Sequence, residues 1–356
     1  ADQTISITDN ENLPTVSLSV ASDNVSEFEG SASSTTKMTV ALNTLSGRPV
    51  IVKLATSGRA SGTSTAPLPN TLDYKFDRTI VIAEGTLFTT VTFSSVDDRM
   101  DEPSETVIIN IAEVVNGTSS GLATDSQTIT ILDDDAPSIV TLTSDRAMIH
   151  EDVAAITKTP IRVALDVVSG FDVKVNLDRK GNASDFLDYT IPASITVPAG
   201  QLTAFVDLVA VNDTLDEADE ETVLISVLSP VVNGTKSETQ ETLTVAIVND
   251  DLPPSVSLKV DSEAITEEPI GETAVVTAFL STVSQKDIVV QLKKLGTAKE
   301  GVDYKLPVEI KIPAGDPQAS VILSAMPDDL NEESETIIIG IGDVTNGTQN
   351  GIQEKI

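Results

Sequence analysis

An internal repeat of 115 residues limits what this chain can fold into more than any other feature of its sequence. An Asp-Tyr pair recurs at this spacing, with its tyrosines at Tyr74, Tyr189 and Tyr304. The period exceeds the unit of any solenoid and matches the size of a whole domain. We therefore predict separate domains in tandem, each of which must close its own hydrophobic core.

The predicted domain boundaries fall where an apolar run leads into acidic residues and then a proline, as in TISITDNENLP, TITILDDDAP and VAIVNDDLPP. Proline fixes its own φ and biases the preceding residue toward extended backbone, which favours short, stiff linkers. The predicted units are residues 12–135 (repeat 1), 136–251 (repeat 2) and 252–356 (repeat 3). Residues 1–11 are interpreted as the last strand of a preceding repeat, and repeat 3 as lacking its own last strand. We expect the chain to be part of a longer array.

Alternating apolar residues predict short strands in repeat 1, and no segment has a helical period. The turn signals include an Asn-Gly-Thr sequence at Asn116, Asn233 and Asn346, where Asn and Gly tolerate positive φ. Seven such strands are typical of a β-sandwich, so the predicted fold is all-β. The predicted strands are Thr15 to Val20, Lys37 to Leu42, Val50 to Ala55, Thr79 to Ile82, Leu87 to Ser94, Thr106 to Ala112 and Gln127 to Leu132.

The charge balance indicates a cationic partner. The 22 Lys and Arg residues face 55 Asp and Glu residues, a formal net charge of −33, which makes nucleic acid or an anionic membrane surface an unfavourable partner. Disorder is not expected, because 40% of the residues are hydrophobic and they cluster in Val, Ile and Leu runs. No run of 18 apolar residues is present, so we predict no membrane span.

The residue types needed for most catalytic sites are scarce. The chain has no Cys, which excludes disulfides, thiolate metal sites and cysteine nucleophiles. His150 is the only histidine, so nucleophilic pairings that need a histidine base have one candidate. Spacing alone leaves paired carboxylates of the glycosidase type open, but aromatic residues, which usually line such clefts, make up only 3% of the chain. We predict that the chain is not an enzyme.

Acidic residues recur at four positions of the repeat: an early Glu, the Asp before Tyr, an acidic loop, and, in repeats 1 and 2, the end of the last strand. Connections in an antiparallel sandwich alternate between two poles, so these positions can meet at one pole. Two unit charges about 4 Å apart repel by roughly 4 kcal/mol at an effective dielectric near 20. Oxygen ligands without His or Cys favour a hard cation, and flexible loops suit the six to eight ligands of Ca²⁺.

The candidate Ca²⁺ ligands are the carboxylates at these positions. Repeat 2 has Asn212 and Asn249 at two of them, which predicts weaker binding, and repeat 3 has Pro327 at one and lacks the terminal acids, which predicts an incomplete site. The candidates are Glu27, Asp73, Asp97, Asp98, Glu102, Asp133, Asp134 and Asp135 in repeat 1; Glu151, Asp188, Asp213, Glu217, Asp250 and Asp251 in repeat 2; and Glu267, Asp303, Asp328 and Glu332 in repeat 3.

The order of VSE, DY, VDDRMDE, NGT and TITILDDD resembles the Calx-beta domain of sodium/calcium exchangers and of large bacterial and animal surface proteins. The resemblance covers nearly the whole chain. It implies tandem seven-stranded, immunoglobulin-like sandwiches in an elongated array, with calcium clustered at one end. On that pattern the candidate residues of repeat 1 match the family's ligands, whereas Asn212, Asn249 and Pro327 depart from it.

We expect this chain to be a calcium-stiffened spacer of a large extracellular, bacterial adhesin on the cell surface. Its expected partners are calcium ions, neighbouring repeats of the same chain, and an unknown surface glycan or protein. Two alternatives stay open: a calcium-sensing regulatory module of a transporter or signalling protein, and a non-catalytic carbohydrate- or matrix-binding module. Tandem copies without a helical region favour the spacer.

Overall fold

The computed structural model describes residues 2–8, 10–28, 30–62, 72–239, 242–267, 272–328 and 333–349. Within these ranges the chain consists of β-strands, apart from one 3-10 turn at Ala123–Asp125. No helix in the described ranges is long and apolar enough to cross a membrane. Three separate hydrophobic cores lie along the chain, one inside each predicted repeat. The predicted all-β fold of tandem sandwiches is confirmed.

Repeat 1 is a sandwich of two five-stranded sheets. One sheet has the order β5-β7-β3-β1-β9 and the other the order β2-β10-β8-β4-β6. The strands are β1 (Thr15–Val20), β2 (Asn24–Ser26), β3 (Thr35–Leu42), β4 (Val50–Gly58), β5 (Tyr74–Lys75), β6 (Thr79–Ile82), β7 (Phe88–Ser95), β8 (Glu105–Val115), β9 (Thr118–Ser119) and β10 (Ser126–Leu132).

Repeat 2 has the same two sheets, in the orders β15-β17-β13-β11-β19 and β12-β20-β18-β14-β16. Its strands are β11 (Ile139–Ser144), β12 (Met148–His150), β13 (Lys158–Leu165), β14 (Val173–Gly181), β15 (Tyr189–Thr190), β16 (Ser194–Val197), β17 (Thr203–Ala210), β18 (Glu220–Val232), β19 (Thr235–Lys236) and β20 (Leu243–Val248).

Repeat 3 keeps the first sheet, β24-β26-β22-β21-β28, but its second sheet has three strands among the described residues, β25-β23-β27. Its strands are β21 (Ser255–Val260), β22 (Thr273–Leu280), β23 (Ile288–Gly296), β24 (Tyr304–Lys305), β25 (Glu309–Ile312), β26 (Gln318–Ala325), β27 (Ile337–Thr345) and β28 (Thr348–Gln349).

The seven strands predicted for repeat 1 are all present and form the body of the sandwich. Their alternation matches the burial pattern: in β3, Met38, Val40 and Leu42 face the core while the residues between them do not. Each fully buried aliphatic side chain of this kind contributes about 1.5–3 kcal/mol. The structure adds β2, β5 and β9, whose two or three residues are too few to show a period.

Two features of this fold bring acidic residues to one pole. First, β2 pairs in parallel with β10, with Val25 opposite Ile131, and β12 pairs in the same way with β20. Parallel neighbours end at the same pole, so the Glu27 amide donates to the Leu132 carbonyl at 3.1 Å, and the Glu151 amide to that of Val248 at 3.1 Å. The early Glu therefore lies beside the acids that follow the last strand.

Second, the tyrosine of each Asp-Tyr pair is anchored in a hydrophobic core, which fixes the Asp before it. Tyr74, Tyr189 and Tyr304 are all buried. The carbonyl of the preceding Asp accepts a hydrogen bond of 2.9 Å in every repeat, from the amides of Val96, Val211 and Met326 respectively. The Asp is thereby held at the start of the acidic loop.

The Asn-Gly-Thr turns are confirmed. Asn116, Asn233 and Asn346 have φ of 60°, 55° and 58°, the left-handed region that Asn tolerates better than most residues. Residues 2–8 form no strand, so the interpretation of residues 1–11 as a last strand stays a prediction, as do the exact domain boundaries.

Candidate metal centre

The pole of repeat 2 holds two groups of three carboxylates, and within each group one oxygen per residue lies within 4.8 Å of the others. We call Glu151, Asp250 and Asp251 the terminal group, because two of them follow the last strand. Asp188, Glu217 and Glu221 form the inner group. Repeat 1 has an equivalent terminal group, which consists of Glu27, Asp133 and Asp135.

The terminal groups are short of hydrogen-bond donors. Burial and the charges of neighbouring carboxylates raise the pKa of Glu27 to about 8 and that of Glu151 to about 7. Three of their oxygens are buried and have no hydrogen-bond partner: Oδ2 of Asp135, Oε2 of Glu151 and Oδ2 of Asp251. An unpartnered buried carboxylate oxygen costs free energy unless a proton or a cation satisfies it.

The inner group of repeat 2 lies deeper. Asp188, Glu217 and Glu221 are 3%, 2% and 8% exposed. The Ser184 amide donates to Asp188 Oδ2 at 2.5 Å, which holds that carboxylate in place. Burial, and then a hydrogen bond with Asp188, raise the pKa of Glu221 to about 8, while burial raises that of Glu217 to about 7. Oε2 of Glu221 has no hydrogen-bond partner. Without a cation, burial and the hydrogen bond with Asp188 favour the protonated form of Glu221.

Repeat 1 repeats this arrangement with Asp73 and Glu105. Burial and a hydrogen bond with Asp73 raise the pKa of Glu105 to about 7, and burial also raises that of Glu102 to about 7. The Glu102 amide donates to Asp133 Oδ1 at 3.2 Å, which joins the acidic loop to the terminal group. The sandwich thus brings the four predicted acidic positions of this repeat to one pole.

The sequence analysis missed Glu105 and Glu221. Each lies directly before a Thr in the longest strand of its repeat, and Glu335 lies before the equivalent Thr336 in repeat 3. In repeat 3 the paired Asp303 has a lowered pKa, chiefly because the Lys299 amide donates to its carboxylate. The signal was present, since an Asp-Tyr pair and a Glu-Thr pair occur together three times, but the prediction took Asp97, Asp98 and Glu102 from this acidic loop and left Glu105 out.

Other predicted ligands lie at the rim of the pole. Asp97 and Asp134 are exposed and belong to none of the three close groups. Asp98 and Asp213 accept hydrogen bonds of 2.7 Å from backbone amides two residues later, so each closes a turn of the acidic loop. Their charges still act on the groups, because Asp98 raises the pKa of Glu27.

Repeat 3 differs from the other two. Glu267, Asp303 and Asp328 are partly exposed, and no close group of three carboxylates occurs in its described residues. Glu332 lies outside the described residues. The predicted weakness of the repeat 2 site and incompleteness of the repeat 3 site stay predictions.

The acidic poles of repeats 1 and 2 fit a hard divalent cation. All members of the three groups offer carboxylate oxygens, and within the described part of the chain no Lys or Arg forms an ion pair with any of them. The raised pKa values of the four Glu residues in these groups arise from burial and from neighbouring carboxylates, and a bound cation offsets both effects. Residues with this donor set would hold Ca²⁺ more readily than a metal that prefers His or Cys.

No protein-family model matches this chain, and no curated protein matches it. The chain is similar to solved structures at low identity. The crystal structure of calcium binding domain CBD12 of CALX1.1 is 16% identical, with a TM-score of 0.27, 63% of this chain and 96% of that chain covered. The apo-form Calx CBD1 domain is 16% identical, with a TM-score of 0.27 and coverage of 33% and 100%. The Pseudomonas aeruginosa CupB2 chaperone is 10% identical, with a TM-score of 0.22 and coverage of 56% and 92%.

Proposed function

We propose that repeats 1 and 2 bind Ca²⁺ at their acidic poles and that the chain is a calcium-stiffened spacer of a large extracellular, bacterial surface adhesin. The observation that carries the calcium proposal is the inner group of repeat 2. Three carboxylates that are at least nine-tenths buried lie within 4.8 Å of one another, and one of their oxygens has no hydrogen-bond partner. The Calx-beta resemblance of the sequence motifs agrees with this proposal.

In repeat 2, Asp188, Glu217 and Glu221 would hold one ion, and Glu151, Asp250 and Asp251 would hold a second. A bound Ca²⁺ supplies the positive charge that these carboxylates lack. Extracellular calcium modules bind at roughly 10⁻⁴–10⁻³ M, which suits millimolar surroundings. At tenfold excess over its dissociation constant, each ion stabilises the folded state by about 1.4 kcal/mol.

Contacts between repeats support the spacer proposal. The Gly170 amide of repeat 2 donates to the Asp101 carbonyl of repeat 1 at 3.0 Å, and the Gln285 amide of repeat 3 donates to the Asp216 carbonyl of repeat 2 at 2.9 Å. Asp101 and Asp216 are equivalent residues of the acidic loop, each directly before a candidate ligand. The same loop therefore serves both the metal centre and the junction with the next repeat.

Because the acidic loop takes part in both, calcium binding would affect how firmly neighbouring repeats are held together. Glu217 belongs to the inner group, and its carboxylate also accepts a short hydrogen bond from the Gln285 side chain. An ion that orders Glu217 also orders the surface on which repeat 3 rests. The backbone contact with the acidic loop recurs at both junctions, and the side-chain bond to a candidate ligand is seen between repeats 2 and 3.

Calorimetric titration of calcium into the chelator-treated protein tests the proposal, with Asp98→Ala and Glu102→Ala as variants. We expect heat of binding at millimolar calcium or below, and a smaller hydrodynamic radius with calcium than with chelator. Absence of heat would overturn the calcium proposal. Binding without any change in radius would leave calcium binding in place and overturn the stiffened spacer.

A further inference from the structure

The two junctions between repeats share one backbone frame. Ser169 of repeat 2 and Ser284 of repeat 3 hold the same place in the repeat, and each is 1% exposed. The Ser169 hydroxyl donates to the Asp101 carbonyl at 3.5 Å, and the Ser284 hydroxyl donates to the Asp216 carbonyl at 3.1 Å. The backbone amide after each serine donates to the same carbonyl. Each repeat therefore rests on the acidic loop of the repeat before it through the same segment.

Side chains add a second set of bonds between repeats 2 and 3. The Ser284 hydroxyl lies 2.7 Å from Asp216 Oδ2, and Lys286 Nζ lies 3.0 Å from Oδ1 of the same carboxylate. Lys286 Nζ also lies 3.4 Å from Oδ1 of Asp219. Because Asp216 is 1% exposed, its charge lies inside the junction, and residues of repeat 3 bond both of its carboxylate oxygens. This junction therefore contains its own cation.

The junction between repeats 1 and 2 is built differently. Phe171 holds the place of Lys286 there, and Phe171 has no side-chain donor and no charge. The residue before it is Gly170, which has no side chain to reach the acidic loop. In the described parts of repeats 1 and 2, no ion pair crosses the junction. Asp101, the equivalent of Asp216, is partly exposed to water.

Bending has a different cost at the two junctions. Hydrogen bonds to charged groups are directional and roughly twice as strong as neutral ones. A bend that moved Lys286 away while Asp216 stayed in the interface would leave a buried charge without its partner. A bend between repeats 1 and 2 breaks no such bond, and apolar contacts of Phe171 do not fix an angle because they are non-directional.

We propose that Lys286 locks repeats 2 and 3 into one rigid unit without a metal ion, and that the junction at Phe171, between repeats 1 and 2, is the hinge of this chain. Without calcium, the three repeats then consist of a rigid pair and one repeat that changes its angle to the pair. The residue at this one place in the repeat sets the stiffness of each junction.

The role of calcium at the hinge rests on the proposed function. The terminal group of repeat 1 includes Asp133, which accepts a hydrogen bond from the amide of Glu102, the residue after Asp101. It also includes Asp135, which lies in the linker to repeat 2. An ion held there would connect the acidic loop to the linker. Calcium would thus supply at this junction the positive charge that Lys286 supplies at the other.

Distances between pairs of spin labels, measured by double electron–electron resonance in chelator, test the inference. The chain has no Cys, so labels can be attached at introduced cysteines. Val81→Cys with Thr196→Cys spans repeats 1 and 2, Thr196→Cys with Val308→Cys spans repeats 2 and 3, and all three side chains are exposed. We expect a broad distribution of distances for the first pair and a narrow one for the second. Equal widths would overturn the proposal.

Exchanges at the equivalent positions assign the difference to the lysine. Lys286→Met should broaden the distribution between repeats 2 and 3, whereas Lys311→Met, which removes an exposed lysine of repeat 3, should not. Phe171→Lys should narrow the distribution between repeats 1 and 2, whereas Phe171→Met should leave it broad. An unchanged width in Lys286→Met, or equal widths in the two Phe171 variants, contradicts the lock.

The same measurements with calcium separate this inference from the proposed function. We expect calcium to narrow the distribution between repeats 1 and 2 and to leave that between repeats 2 and 3 unchanged. A distribution between repeats 1 and 2 that stays broad with calcium overturns the closing of the hinge by calcium. The widths in chelator decide the role of Lys286 independently of that result.

Discussion

Asp216 of repeat 2 and Ser284 of repeat 3 are each 1% exposed, and the Ser284 hydroxyl donates a hydrogen bond of 2.7 Å to the Asp216 carboxylate. Lys286 Nζ lies 3.0 Å from the other carboxylate oxygen. A fully buried charge is tolerated only where partners satisfy it. Ser284 and Lys286 therefore tie repeat 3 to Asp216, the residue directly before the candidate ligand Glu217.

Lys286→Met should weaken the junction between repeats 2 and 3. The substitution leaves the buried Asp216 without its cation, and because Lys286 is itself a quarter exposed, we expect a loss of about 1–2 kcal/mol rather than the 3–5 kcal/mol of a fully buried pair. Hydrogen exchange at the Gln285 amide, which donates to the Asp216 carbonyl, should become faster. Lys311→Met breaks an exposed pair with Asp287 and should leave this amide unchanged.

Glu221→Gln should weaken calcium binding by repeat 2. The amide keeps the size of the side chain but removes a charge from the inner group, so we expect at least about a tenfold higher Kd, or about 1.4 kcal/mol. In chelator above pH 8, the same variant should melt at a higher temperature than the parent, because Glu221 is then deprotonated in the parent and repels Asp188. Glu220→Gln, at the exposed neighbouring position, is the matched control. Equal calcium affinity of the two variants would contradict the assignment of Glu221 as a ligand.

In the absence of calcium, the melting temperature should fall as the pH rises from about 5 to about 8. Glu27, Glu151 and Glu221 have folded-state pKa values of about 8, 7 and 8, above the ordinary 4.5, so the folded state retains protons that the unfolded state has lost. The stability they provide is complete below pH 4.5 and is lost as the pH passes the raised values. Thermal melts in chelator across this range measure the slope.

Calcium should reverse this slope. Because the ion binds the deprotonated carboxylates, its affinity should rise over the same pH range, and its binding near pH 7 should release protons. Titration calorimetry in buffers of different ionisation enthalpy measures the proton release directly. A melting temperature that is flat with pH in chelator, or calcium binding without proton release, would rule out the protonated carboxyl groups described here.

Gly58→Ala should destabilise repeat 1. Gly58 has φ of +123°, and a Cβ there would lie 2.1 Å from the Thr106 carbonyl oxygen. We expect a cost of about 2–4 kcal/mol from strain and overlap together. Gly85→Ala is the control: its φ of +70° is also positive, but a Cβ there meets nothing within 4 Å, so a cost of about 1 kcal/mol is expected. Denaturant unfolding of both variants compares the two losses.

Most of the fold could be predicted from the sequence, because the strands and the repeats both show as regular periods of residue types. Strands such as Thr35–Leu42 alternate over eight residues, and the Asp-Tyr pairs gave the repeat length. The strand Asn24–Ser26 was not predicted, because three residues are too few to show an alternating pattern. This strand nevertheless places Glu27 beside the end of the last strand. Its partner is more than a hundred residues away, and pairing over that distance follows from tertiary packing.

The sequence predicted the chemical type of the candidate site, a cluster of carboxylates, but not all of the residues that form it. Charge counting found the acidic positions, but it cannot separate Glu221, which is buried against Asp188, from Glu220, which is exposed. That difference depends on which face of β18 turns toward the pole. The junction role of Asp216 was also missed, since a contact between domains leaves no pattern within either one.

The parallel pairing of Asn24–Ser26 with the end of β10 has a mechanical consequence. When a chain of such domains is pulled from its two ends, these neighbouring strands near the start and end of a domain slide past each other along their length. Their hydrogen bonds are then loaded in shear and must break together, whereas bonds at a hairpin that is peeled apart break one after another. Repeat 2 has the same pair between Met148–His150 and β20, so each of these domains resists tension at the strands that lead into its acidic pole.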